Sequence, residues 1–122
     1  SIVKRHKDNA KLYTSNFKNI EYIQILDVSV DHDPSYWVYT VILDEKINRD
    51  AVLETLNSIG VNAGLVHVPN HKYTCFAESL VELPNTMYFH EHQISLPCGW
   101  WLDPDDISEI SKLLIKTIDK VG

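Results

Sequence analysis

Glycine is scarce in this chain. Gly60, Gly64, Gly99 and Gly122 are the only four, too scattered to build a glycine-rich phosphate loop. Cysteine is scarcer still. Cys75 and Cys98 do not amount to a disulfide framework, so a reduced, cytoplasmic setting is the expectation. No apolar run approaches the roughly 20 residues needed to cross a bilayer, and no signal peptide opens the chain. Positive charge is also short: eleven Lys plus Arg against seventeen Asp plus Glu leave −6 with His neutral. A field of that sign repels phosphate backbones and anionic lipid, so neither nucleic acid nor a membrane is an expected partner. Linkers, internal repeats and low-complexity stretches are missing. What remains is an ordinary soluble balance, 44% hydrophobic and 23% charged, in 122 residues that read as a single domain, 1–122.

The chain opens on a helical pattern. Val3, His6, Ala10, Tyr13, Phe17 and Ile20 recur at steps of three and four, with Lys4, Lys7, Asp8 and Lys11 opposite. A helix starting at the first residue without a cap leaves its first N–H groups without partners, which suggests a longer helix cut short. Alternation of Leu26, Val28 and Val30 with Asp27, Ser29 and Asp31 predicts an edge strand, followed by a turn at residues 31–35. Residues 36–43 are aromatic and β-branched on both faces, as in a strand covered on two sides. Asn48 is the expected N-cap of a helix through Val52, Leu56 and Ile59, ended by Gly60. Residues 62–68 are expected to be a strand, completing a β-α-β unit of right-handed crossover. An irregular loop from Pro69 to Pro84 leads to a short helix capped by Asn85, then a strand at 93–96. Asp103, Pro104 and Asp106 spell a capping box for a final helix with a stripe of Ile107, Ile110, Leu114, Ile118 and Val121. The fold class is α+β, a small mixed or antiparallel sheet of three or four strands packed with helices.

Chemistry-bearing residues concentrate in the middle of the chain. His67, His71, His90 and His92, with Cys75, have the donor types of a zinc site. Pro69 between His67 and His71 removes the helical geometry of a metalloprotease pair, and no Glu follows His67. A stand-alone ligand- or zinc-binding module is therefore one alternative. Neither cysteine sits in a nucleophile motif, and both read as core or loop thiols. Trp100 and Trp101 either stack on a sugar or base or cover a hydrophobic surface, with the second reading preferred.

Three segments in order carry a resemblance: Arg49–Val61 as an "RD" helix running to a Gly-hydrophobic end, Val66-His67-Val68-Pro69-Asn70-His71 as a strand entering a Pro-x-His loop, and Gln93–Pro97 followed by Leu102–Ile110. The set resembles the C-terminal small domain of the DegT/DnrJ/EryC1/StrS family of pyridoxal-phosphate-dependent nucleotide-sugar aminotransferases. The resemblance implies a domain of fold-type I enzymes whose large, lysine-bearing, cofactor-holding domain lies elsewhere. This fragment would then be inactive alone and contain no catalytic, cofactor-binding or metal-binding residue. The implied whole protein transfers an amino group, usually from glutamate, to a keto sugar on a nucleoside diphosphate, for polysaccharide or glycan synthesis, and is a homodimer. Some relatives dehydrate the sugar instead. His71 matches the family's substrate-loop histidine, and His67, Tyr73 and Lys72 of the same loop are further candidates for substrate binding.

Overall fold

The computed structural model describes residues 1–78 and 81–122. Helix α1 spans Ile2–Phe17, and Ser1 Oγ accepts a hydrogen bond from the Lys4 amide at 3.2 Å. The first turn thus has a side-chain acceptor in Ser1, where the sequence reading expected no cap. Ala10, Tyr13 and Phe17 form the buried face of α1.

Strands β1 (Ile23–Ile25), β2 (Val38–Leu43) and β3 (Gln93–Pro97) form an antiparallel sheet in the order β1-β2-β3. Tyr39, Val41 and Leu43 point to one face with Ile94 and Leu96 of β3, as the period of two requires. Helix α2 (Arg49–Ser58) and the long α4 (Pro104–Val121) complete this face. Helix α4 packs against both α1 and α2, so three helices cover one side of the sheet. Val52, Leu56, Ile107, Ile110, Leu114 and Ile118 join the same core. Helix α3 (Pro84–His92) contacts β2, and its Tyr88 lines a recess with Gln24 and Ile42, residues outside the main core cluster. It therefore covers part of the opposite face. Among the described residues, no helix is long and apolar enough to cross a membrane.

Three strand expectations change. The edge strand predicted at Leu26–Asp31 is absent; β1 lies earlier, pairing Ile23–Ile25 with Leu43–Val41. Leu26, Val28 and Val30 are exposed, and a groove opens between this segment and β2, lined by Leu26, Val28, Val38 and Thr40. Alternation marks a strand only where a neighbouring strand accepts its hydrogen bonds. β2 itself begins at Val38, because Tyr36 adopts a left-handed φ of 52° that the pleat cannot continue. Finally, the strand at 62–68 reduces to one antiparallel bridge, Gly64 with Ser95, so the regular β-α-β unit does not form. The Gly64 segment and β2 both run antiparallel to β3, so they run in the same direction with β3 inserted between them.

The helix boundaries show the same local logic. Asn48 caps α2 through Oδ1, which accepts from the Ala51 amide at 3.1 Å, and Gly60 takes φ 91° just beyond its end. The expected Asn85 cap is instead an interior residue of α3. Pro84 begins that helix, and Leu83 before it makes no side-chain cap. The α4 box is complete: Asp103 Oδ1 accepts from the Asp106 amide and Asp106 Oδ2 from the Asp103 amide, both at 2.9 Å. Residues 79 and 80 of the expected 69–84 loop lie outside the described residues.

Cys98 is buried in the core, and burial pushes its thiol up from 9.0 to about 11; Cys75 is exposed. Native chain should therefore react with one equivalent of a thiol reagent and unfolded chain with two. Folded Cys98 keeps its proton where the unfolded thiol loses it, so this contribution to stability is complete below pH 9 and lost toward pH 11. Burial raises Tyr13 and Tyr39 in the same direction. Denaturant midpoints should fall over that alkaline window, and Cys98→Ala should flatten the first part of the fall. Asp103→Ala should cost about 1 kcal/mol of unfolding free energy by chemical denaturation, since it removes one half of the α4 box outright.

Candidate functional site

The candidate residues of the middle segment lie on a loop built from two short 3-10 turns, Asn70–Lys72 and Thr74–Phe76. Backbone bonds from Lys72 N to Pro69 O (3.0 Å) and Tyr73 N to Asn70 O (3.1 Å) close the first, and Phe76 N to Tyr73 O (2.9 Å) closes the second. Pro69 is buried and anchors the start. His67 precedes it with φ 67°, a left-handed conformation that a residue with a Cβ adopts at a cost. His67, Lys72 and Tyr73 are exposed, while His71 is half-buried with its Nδ1 enclosed and without a hydrogen-bond partner. Among the described residues no hydrogen bond joins the four side chains. They share a loop rather than a preassembled constellation.

Beneath this loop lies a network in which the spacing of residues gave no hint of a role. Arg49, in the first turn of α2, has a side chain only 10% exposed. Its Nη1 donates to His90 O at 2.7 Å and to Gln93 O at 2.9 Å, and its Nε to Asp50 Oδ1 at 2.7 Å. The guanidinium thus satisfies carbonyls at the C-terminal end of α3, where a cation is favoured. Gln93 is 1% exposed, and its Nε2 donates to Val66 O at 2.8 Å. Gln93 Oε1 and His90 Nδ1 are enclosed without partners, like His71 Nδ1.

The zinc reading finds no support in this geometry. Among the described residues, no three His, Cys, Asp or Glu side chains are placed to hold a metal ion. His92 Nδ1 lies 2.7 Å from Tyr88 O, and its ring packs 4.2 Å from that of Tyr88, so it serves α3 locally. Cys75 stands exposed in the second turn.

A second cluster occupies the other end of β3. Asn9, buried on α1, donates through Nδ2 to Gly99 O (3.0 Å), Leu102 O (3.3 Å) and Cys98 O (3.4 Å), and Arg5 donates twice to Leu102 O at 3.2 Å. The turn so anchored carries Trp100 and Trp101, in edge contact at 6.1 Å and both more than half exposed. A Cβ at Gly99 would stand 2.1 Å from the Trp101 ring, so glycine is what lets that ring lie over the backbone. Trp37 is 65% exposed as well.

Pyridoxal phosphate needs an amine for imine formation, a carboxylate facing its ring nitrogen and several phosphate donors. A groove of about 400 Å³ between α1 and residues 28–36 offers Lys7, Lys11, His32 and Asp33. Lys7 Nζ lies 2.5 Å from Asp33 Oδ2, so the amine and carboxylate neutralise each other at the surface. The described residues of this groove do not by themselves fit the cofactor.

Comparison with known proteins gives one consistent result. The DegT/DnrJ/EryC1/StrS aminotransferase family matches residues 1–114. A UDP-4-amino-4,6-dideoxy-N-acetyl-beta-L-altrosamine transaminase of Helicobacter pylori is 22% identical over 97% of this chain and 32% of its own length. Helicobacter pylori PseC, an aminotransferase of pseudoaminic acid biosynthesis, superposes with a TM-score of 0.87 at 22% identity, covering 97% of this chain and 33% of PseC. The PLP form of Spr1654 from Streptococcus pneumoniae superposes with 0.87 at 20% identity, covering all of this chain and 32% of that one. The α+β fold is therefore that of a part of these proteins, and the chain spans about a third of their length. With its helical start, antiparallel sheet and the capped first turns of its final helix inside the matched span, the chain belongs to the DegT/DnrJ/EryC1/StrS aminotransferase family.

Proposed function

We propose that this chain is the C-terminal small domain of a pyridoxal-phosphate-dependent nucleotide-sugar aminotransferase. The family match over residues 1–114, on a chain one third as long as its relatives, is the observation that carries this reading. The cofactor and its lysine belong to the large domain of the whole protein. The whole protein takes an amino group from glutamate and delivers it to a keto sugar on a nucleoside diphosphate. It works in the cytoplasm as a homodimer.

The domain's own share is to wall the sugar-nucleotide side of the cleft with the His67–Tyr73 loop. A diphosphate brings negative charge to a chain of net charge −6, so local donors must offset the general repulsion. Lys72 supplies a cation, and His71, His67 and Tyr73 supply hydrogen-bonding groups within one short stretch. The partnerless Nδ1 of His71 leaves it with unspent hydrogen-bonding capacity. Three exposed tryptophans, Trp37, Trp100 and Trp101, support an apolar docking surface for the large domain.

The test is to express the chain joined to its preceding coding sequence. The joined protein should carry the absorbance of bound pyridoxal phosphate, respond to glutamate and aminate a nucleotide-linked keto sugar. The 122-residue chain alone should do none of these. A joined protein without the chromophore refutes the reading, and a chromophore with loss of water from the sugar assigns it to the dehydrating branch. In the active protein, His71→Ala should raise KM for the nucleotide sugar about tenfold, the effect of losing one hydrogen bond to a charged group. Its reaction with glutamate should be unchanged in a half-reaction assay.

A further inference from the structure

We propose that Gln93, backed by Arg49, is a positioning residue that holds His67 in its left-handed conformation and thereby sets the His67–Tyr73 loop for the sugar nucleotide. The inference rests on the preceding reading of that loop as the substrate side of the cleft. It begins with the strain. A histidine at φ 67° persists only where its surroundings over-determine the backbone. On one side, Gly64 exchanges two hydrogen bonds with Ser95, at 2.9 and 3.0 Å, and Val66 O accepts from Gln93 Nε2 at 2.8 Å. On the other, buried Pro69 opens the 3-10 turn that carries His71. Between Val66 and Pro69 only His67 and Val68 remain, and His67, next to Val66, is the one that takes the left-handed φ.

Gln93 bears the marks of a group kept for this contact. It is almost wholly buried at the first position of β3, and its Oε1 has no partner. The Nε2 end must face Val66 O, because a carbonyl accepts only from a donor. A glutamine serving packing alone would be replaced without loss by an apolar residue; this one retains an unsatisfied oxygen to deliver one N–H to the loop. Arg49 fixes the glutamine's own backbone. Its Nη1 spans His90 O and Gln93 O, so α2, the end of α3 and the start of β3 meet at one guanidinium. The contacts run Asp50 to Arg49, Arg49 to the Gln93 backbone, and the Gln93 side chain to Val66.

Two variants separate this role from mere capping of α3. Gln93→Leu keeps the volume and leaves the Arg49 contacts to α3 intact, yet frees Val66 O. Arg49→Lys keeps the charge at the end of α3 but loses the two-pronged planar grip. In the 122-residue chain, NMR should show a strong intraresidue amide-to-α proton contact at His67, the signature of positive φ. Gln93→Leu, with an unchanged far-UV circular dichroism spectrum, should lose that signal and speed exchange of the Lys72 and Tyr73 amides about tenfold, as expected for one lost buried hydrogen bond. Arg49→Lys should change both in the same direction by less. In the joined aminotransferase, Gln93→Leu should raise KM for the nucleotide sugar while kcat stays within about twofold, because uniform binding is what a displaced loop loses. Persistence of the His67 signal and of slow exchange in Gln93→Leu overturns the latch, whatever the loop binds. A loosened loop with unchanged KM overturns the positioning role and traces the failure to the substrate reading.

Discussion

The register between β2 and β3 is the constraint on which the rest depends. Val41 sits opposite Ile94 and Tyr39 opposite Leu96, and a slip of one residue would turn every one of these side chains to the wrong face. With the register fixed, Gln93 falls at one end of β3 under the histidine loop, and Cys98–Gly99 falls at the other beneath the tryptophans. The histidine loop and the tryptophan turn therefore sit at opposite ends of the same five-residue strand. The three-helix layer makes that strand rigid. Ile94 and Leu96 are completely buried, and α4 wedges between α1 and α2 with an apolar stripe of its own.

The parts legible in the sequence are those where a local rule and the tertiary context agree. The α4 capping box, the Asn48 cap and Gly60 each state a backbone requirement in the identity of one side chain, and the structure uses each as written. β2 was visible for a related reason: a β-branched run that is covered on its core face favours a strand. Leu26 to Val30 was misleading because alternation records polarity and not partnership. Pairing stops at Ile25, and the left-handed φ of Tyr36 before β2 is a further feature of which tyrosine gives no local warning. The bridge at Gly64 failed to extend for a similar reason, with His67 in the left-handed region and Val66 O committed to a side chain instead of a strand.

The candidate site was legible as a composition and not as a geometry. Clustering of His67, His71, Lys72 and Tyr73 along the chain marks a polar loop, and resemblance supplies its use. Arg49 and Gln93 are a different kind of residue. Their importance lies in carbonyls contributed by residues 66, 90 and 93, backbone atoms that every sequence possesses and none advertises. Only the fold brings them to one place. The same holds for Asn9, an ordinary polar residue on a helix that becomes the anchor of a turn nearly ninety residues away.

That anchor has an energetic corollary. Because Asn9 and Arg5 grip the carbonyls around it, the backbone under Trp100 and Trp101 has already surrendered its freedom, while the indole rings remain wet. A surface of that kind is pre-organised: covering it releases water from large aromatic faces and freezes only the torsions of two side chains. Whatever settles on this corner of the domain meets a stiff hydrophobic knuckle whose ordering was completed during folding.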